Sequence, residues 1–381
     1  MKWCVLTTAL GLLVSLTACR DEAPEDDGFG FFVDGDKDTG RPQDVEEDAT
    51  RDVGAVPDAP GLGDATADTR PDTAEPDVPD EPEVPDDPCA GVECGDHGSC
   101  DEGTCACEQG YELRDGRCAL YDPGDPALRS PDLVCSRWAD EHPGRARQIW
   151  SGGNGCEPGT IDPVAHEDAM RRLNLYRWLV GLEPAGFNLA NQLACQKAAM
   201  MMDANNALSH TPPQNWRCYD PEGASAAGMS NLALGYANPA DSIDGYIEDG
   251  GTPSLGHRRW IFFPLLDAVG FGHRGRGGAM YAFGRTNRRS PAFVAYPPPG
   301  PVPVAAIHGA WSFSKQGVGN PQVTVTEVGT DRALRVTSSA LQQGFGLDTV
   351  SFQIGEQVRA GTTYRVQVGN TSYETTPVGC R

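Results

Sequence analysis

Ser254-Leu255-Gly256-His257-Arg258-Arg259-Trp260 sets one histidine between a glycine and two arginines, and a second histidine stands upstream in Leu208-Ser209-His210-Thr211-Pro212-Pro213. Two imidazoles brought together can bind a metal, polarise a carbonyl or hydrogen-bond a ligand. Between His257 and Ser290 there are seven arginines (258, 259, 274, 276, 285, 288 and 289) and one acid, Asp267. Arginine forks suit carboxylates and phosphates, so an anionic glycan, a lipid headgroup or a protein surface is one class of partner. A solvated face, or one neutralised by acidic segments elsewhere in the chain, is the favoured expectation.

Upstream, Asp162-Pro163 reads as a helix N-cap followed by proline at the first helical position. Met170, Leu173, Arg177 and Val180 continue at helical spacing, and Gly181 ends the run. A second helix, from about Leu189 to Asn205, places Leu189, Leu193, Ala194, Ala198, Met201 and Met202 on a broad apolar face. Gly270-Phe271-Gly272-His273-Arg274-Gly275 matches a dinucleotide-binding string, but it leads into Gly277-Gly278 and an apolar run. It therefore reads as a hairpin between strands.

Taken in order, Leu173-Asn174-Leu175-Tyr176-Arg177, Gly181-Leu182-Glu183-Pro184, Leu208-Ser209-His210, Ser230-Asn231-Leu232-Ala233-Leu234-Gly235, Gly256-His257-Arg258 and Val269-Gly270-Phe271-Gly272 resemble the CAP superfamily, the SCP-type domain of cysteine-rich secretory and pathogenesis-related proteins. The resemblance implies an α+β fold, an α–β–α sandwich whose cleft presents two histidines and two acids. His210 and His257 match the histidines. Ser230 stands where the first glutamate is expected, and Glu248 or Asp249 matches the second acid. The cleft candidates are therefore His210, Ser230, Glu248, Asp249 and His257. His210 and His257 are the candidate zinc ligands, in a weak site rather than a structural one, since one acid completes only a minimal set. Ser230, His257 and Glu248 have the residue types of nucleophile, base and orienter, but no Gly-x-Ser-x-Gly elbow surrounds Ser230. Cys195 and Cys218 flank His210 and are expected to form a disulfide bracing its loop.

The formal charge of −24 is unevenly spread. Arg20 to Pro88 holds 24 of the 54 acidic residues but only 5 of the 30 lysines and arginines. Few large apolar residues accompany them, so residues 19–86 read as a disordered acidic linker with no nucleic-acid partner. Within it, Asp34-Gly35-Asp36-Lys37-Asp38-Thr39-Gly40 departs from calcium-loop spacing and reads as a solvated charge run. Residues 1–18 have the pattern of a signal peptide, and Leu16-Thr17-Ala18-Cys19 resembles a bacterial lipobox. The resemblance implies lipidation of Cys19, membrane attachment through that lipid and a place in the bacterial cell envelope, on either membrane.

Thirteen cysteines behind an export signal point to an oxidising compartment. Within residues 87–120, six of them crowd a segment too short for a core, and spacing alone allows fifteen connectivities. The spacing resembles an EGF-like domain, which implies Cys89–Cys100, Cys94–Cys105 and Cys107–Cys118, without a calcium site because Pro88 precedes the first cysteine. Residues 121–161 read as a Pro/Gly-rich connector in which Cys135 and Cys156 could form a local disulfide, with Cys380 either free or bonded to one of them. After the CAP-like segment, 162–289, residues 290–381 show period-two alternation in short runs, the pattern of a small immunoglobulin-like β-sandwich. The expected function is ligand binding by a surface lipoprotein. The alternatives are a metal-dependent or serine-type hydrolase of peptide or cell-wall material, and an adhesion protein using the six-cysteine module.

Overall fold

The computed structural model describes residues 87–380 apart from 287 and 289. The signal segment, Cys19, the acidic linker with its Asp34–Gly40 run, and Arg289 lie outside the described residues.

The six-cysteine module consists of two hairpins, Gly98–Asp101 with Thr104–Cys107 and Tyr111–Arg114 with Arg117–Leu120. Disulfides Cys89–Cys100, Cys94–Cys105 and Cys107–Cys118 each span a separation of 11 residues. Cys94 is the one buried residue of the module, so crosslinks stand in for a core.

The segment expected to be a connector contains a helix, α1 (Pro131–Glu141), capped by Ser130 and burying Leu133 and Val134. Those side chains join the main core, which draws α1 into the body of the protein. The cysteines consequently pair at long range. Cys135 on α1 bonds Cys380, and Cys156 bonds Cys218. No Cys135–Cys156 bridge forms, because α1 carries Cys135 toward the end of the chain.

Helix α2 (Pro163–Leu179) starts where the Asp162 carboxylate accepts from the Val164 and Ala165 amides. Gly181, with φ of 77°, takes the left-handed turn that follows it. Helix α3 (Leu189–Asn205) is capped by Asn188 and ends at left-handed Asn206. Two further helices, α4 (Pro221–Gly228) and α5 (Pro239–Glu248), flank the strand Ser230–Leu234. The last, α6, is a short helix over Gly256–Ile261.

A three-stranded antiparallel sheet has Gly277–Tyr281 at its centre, between Phe271–Arg274 and Ser230–Leu234. Its side chains alternate between two cores, as a pleated sheet requires. Leu232 and Ala279 pack with α3 and α4, whereas Ala233, Phe271 and Met280 pack with α2 and α5. The result is mixed α+β architecture with helices on both faces. Two glycines of the dinucleotide-like string, and Gly277 just after it, serve this packing. A Cβ on Gly270, Gly272 or Gly277 would collide with α3 backbone at Gln192, Cys195 or Ala199 respectively.

From Val294 onward the chain forms two sheets of four and five strands. Phe313, Val325, Val350, Phe352 and Val366 fill the space between them. The boundary at residue 290 is less sharp than the sequence implied. Val294, Tyr296, Val302 and Ala306 belong to the core of α2 and α5, so the first strands of this sandwich complete the preceding domain.

Candidate functional site

Helix α5 begins at Asn238, whose side chain accepts from the Asp241 amide, with Pro239 at the first helical position. Ile243, Tyr246 and Ile247 fix one of its faces in the core, and the helix stops at Asp249 in a left-handed conformation, φ 51°. That turn brings the Asp249 carboxylate onto the start of α6. Oδ2 accepts the Arg258 amide at 3.1 Å, and Oδ1 accepts Nδ1–H of His257 at 2.7 Å. The Asp249 side chain is completely buried, while that of His257 keeps 26% of its surface exposed. Thr252 Oγ1 lies 3.4 Å from the same Nδ1, and the Tyr246 ring lies 5.2 Å from the imidazole centre.

Asn231 supplies the backbone tie. Its Nδ2 donates to the His257 carbonyl at 3.0 Å, and its own carbonyl accepts from Tyr246 OH at 3.0 Å. The sequence displayed Asn231 beside Ser230 without revealing this role, which only the approach of α6 to the strand creates. His210 is placed differently. Its ring is exposed, and Nδ1 donates to the Ala227 carbonyl at 2.9 Å. The segment Ala227–Asn231 thus connects the two histidines, touching His210 at one end and His257 at the other. Because a carbonyl oxygen can only accept, the proton of neutral His210 sits on Nδ1. Asp249 imposes the same tautomer on His257, so each histidine keeps an Nε2 lone pair.

Three sequence expectations need correction. Ser230 is buried, and its hydroxyl donates to the Ala226 carbonyl at 2.7 Å, one turn back, so it is no cleft nucleophile. Glu248 is exposed at the end of α5 and makes no hydrogen bond to His257; the partner is the next residue, Asp249. Cys195 is a free, fully buried thiol, 3.5 Å from Ser230 Oγ, pushed up to about 11 by burial. It cannot reach Cys218, because α3 points it into the layer against the sheet. The loop after His210 is braced instead by Cys156–Cys218.

The arginine-rich stretch is divided: Arg258, Arg259 and Arg274 are buried, whereas Arg276 and Arg285 are exposed. Arg258 is wholly buried and donates to the carbonyls of Ile247, Glu248, His308 and Ala310, joining α5 to the C-terminal sandwich. Arg259 does the same for Ser254, Gln342 and Leu347. Burial pushes both guanidinium pKa values down, that of Arg259 to about 10. Arg274 donates to the Gly155 carbonyl, Arg276 to Asn206 Oδ1 and Arg288 to the Pro184 carbonyl, while Arg285 lies over the Trp260 and Phe263 rings.

Among the described residues, no three His, Cys, Asp or Glu side chains stand close enough to hold a metal ion. The Asp249 carboxylate is already shared between His257 and Arg258 N–H. The donor set therefore does not fit a protein-held zinc, which takes three or four protein ligands.

Residues 170–284 match the family model CAP, the cysteine-rich secretory protein family. The chain carries a CAP domain. The match runs from the middle of α2 through the last strand of the three-stranded sheet and includes His210, Ser230, Asn231, Asp249 and His257. No curated protein and no solved structure matches the chain. The CAP match and the disulfides are consistent with an extracellular or secreted protein.

Proposed function

We propose that this chain is a lipid-anchored bacterial envelope protein that binds an extracellular or cell-surface ligand through the CAP cleft and does not turn it over. In this reading the lipobox cysteine Cys19 attaches the acidic linker to the membrane, and the six-cysteine module is an EGF-like spacer. The CAP α–β–α sandwich presents the cleft, and an immunoglobulin-like sandwich buttresses it. The observation that carries the reading is the His257–Asp249 pair: an oriented imidazole, a buried Ser230 and, among the described residues, no third metal donor. An oriented imidazole with a free Nε2 accepts a hydrogen bond from a ligand N–H or O–H. Hydrolysis would require in addition a nucleophile or a metal-activated water.

The test incubates the purified full chain with a peptide library and with peptidoglycan, with and without added zinc, and follows products by mass spectrometry. The proposal expects no product above that of the His257→Ala and Asp249→Asn variants. Turnover that disappears in those variants would replace it with the hydrolase reading.

A further inference from the structure

A groove of about 720 Å³ lies between the loop that follows α5 and the C-terminal sandwich. That volume falls in the ordinary range for small-molecule sites, roughly 300–1,000 Å³. One wall is the backbone and side chains of Glu248–Pro253, and the other is the outer face of the four-stranded sheet. Strand alternation makes that face polar. Val350 and Phe352 point into the sandwich core, so Ser351 and Gln353 point out, and the cross-strand partner of Ser351 is Ser339.

The lining chemistry is selective. Ser339, Ser351, Gln353, Gln357 and Glu248 offer hydroxyls, amides and a carboxylate, and among the described residues none of these side chains has a protein hydrogen-bond partner. Glu356 is held by a two-oxygen contact from Arg332, and the groove is lined by no Lys, Arg or His. Leu341, Ile354 and Val358 supply apolar surface between the polar groups. An anionic ligand would find carboxylates and no cation. A purely apolar one would strand the amides. Paired amide and hydroxyl groups interspersed with CH-rich surface match the alternating O–H and C–H faces of a sugar.

We propose that this groove binds a neutral oligosaccharide. The groove shares Asp249 and Thr252 with the surroundings of His257, but its amides, Gln353 and Gln357, belong to the sandwich wall, so the proposal does not depend on the reading given to His257. It exists because Arg258 and Arg259 hold the two domains together, donating from α6 to carbonyls at 308, 310, 342 and 347. The contact between domains thus builds the groove.

The experiment titrates the full chain with cellohexaose, chitohexaose, laminarihexaose and mannohexaose, alongside hexalysine and hexagalacturonate, by calorimetry and by NMR of side-chain amides and histidine rings. At least one neutral hexaose is expected to bind and to shift the Gln353 and Gln357 amide signals. Gln353→Ala combined with Gln357→Ala, both exposed positions, should weaken it by roughly 10-fold through the lost hydrogen bonds. The proposal is overturned if none of the four neutral hexaoses binds, if hexalysine or hexagalacturonate is preferred, or if the double variant binds equally well. A hexaose that shifts the His257 ring and not the amides would also overturn it, while leaving the cleft reading intact.

Discussion

His257 and His210 each turn Nδ1 toward an oxygen of the protein, and the two oxygens differ in kind. For His257 it is a side-chain carboxylate, fully buried and fixed by a second hydrogen bond from the Arg258 amide. For His210 it is the backbone carbonyl of Ala227, and the imidazole itself stands in solvent. The His257 side is therefore set by a side chain and by the docking of a whole domain through Arg258. The other is set by a loop, a helix end and the disulfide Cys156–Cys218. In the proposed binding reading, a ligand would meet one imidazole held by a buried carboxylate and one held by a backbone carbonyl.

Removing the domain clamp should have the largest effect. Arg258→Met leaves one buried and three part-buried carbonyls without their donor, which costs on the order of 3–5 kcal/mol. Chemical denaturation would read this loss, and the His257 ring resonances should shift while those of His210 stay in place. Cutting the other wall, with Cys156→Ser and Cys218→Ser together, should cost about 2–4 kcal/mol. Hydrogen exchange should then rise around His210 and not around Asp249. Equal disturbance of both rings in either variant would erase the distinction between the walls.

Asp249→Asn sharpens the comparison further. It weakens a buried charge-assisted hydrogen bond, for about 1–3 kcal/mol, and frees the His257 ring to change tautomer. The partner of His210 is a backbone carbonyl, which Asp249→Asn does not touch, so its tautomer should survive. The smallest effect belongs to Ser230→Ala. Its hydroxyl serves only a local carbonyl and the Cys195 thiol, so stability should change by about 1 kcal/mol and ligand binding not at all.

Acid should act elsewhere in the molecule. Burial holds the imidazoles of His166, His273 and His308 below their ordinary value of 6.5, and a ring nitrogen of His166 and one of His273 has no partner. Below pH 6.5 the unfolded chain then binds more protons than the folded one, so stability falls as pH drops and levels off beneath the folded pKa values. Thermal melts between pH 7.5 and 5 should show Tm decreasing with pH. A Tm that rises on acidification would contradict it.

Local signals carried most of the helix reading. Asp162-Pro163, Gly181 and the Leu189–Asn205 run mark their own helix ends, because caps and left-handed turns depend on adjacent residues. Cysteine pairing shows where that legibility stops. The six-cysteine module has bridges of one short separation, whereas Cys156–Cys218 and Cys135–Cys380 span 62 and 245 residues and depend on how helices pack. The choice between Glu248 and Asp249 was equally non-local, since it turns on one left-handed residue placing a carboxylate over a helix nine residues away. The arginines misled for the same reason. Four of the carbonyls that hold Arg258 and Arg259 come from residues 50 to 88 positions downstream, and composition gives no hint of them.

The central claim is that Asp249 holds His257 in the Nδ1–H tautomer and leaves Nε2 as an acceptor. Long-range proton–nitrogen correlation spectra of the histidine-labelled full chain at pH 7.5 test it directly. The account predicts that the His257 ring carries its proton on Nδ1 in the wild type and loses that single tautomer in Asp249→Asn. A ring protonated on Nε2, or a tautomer indifferent to the substitution, would contradict it.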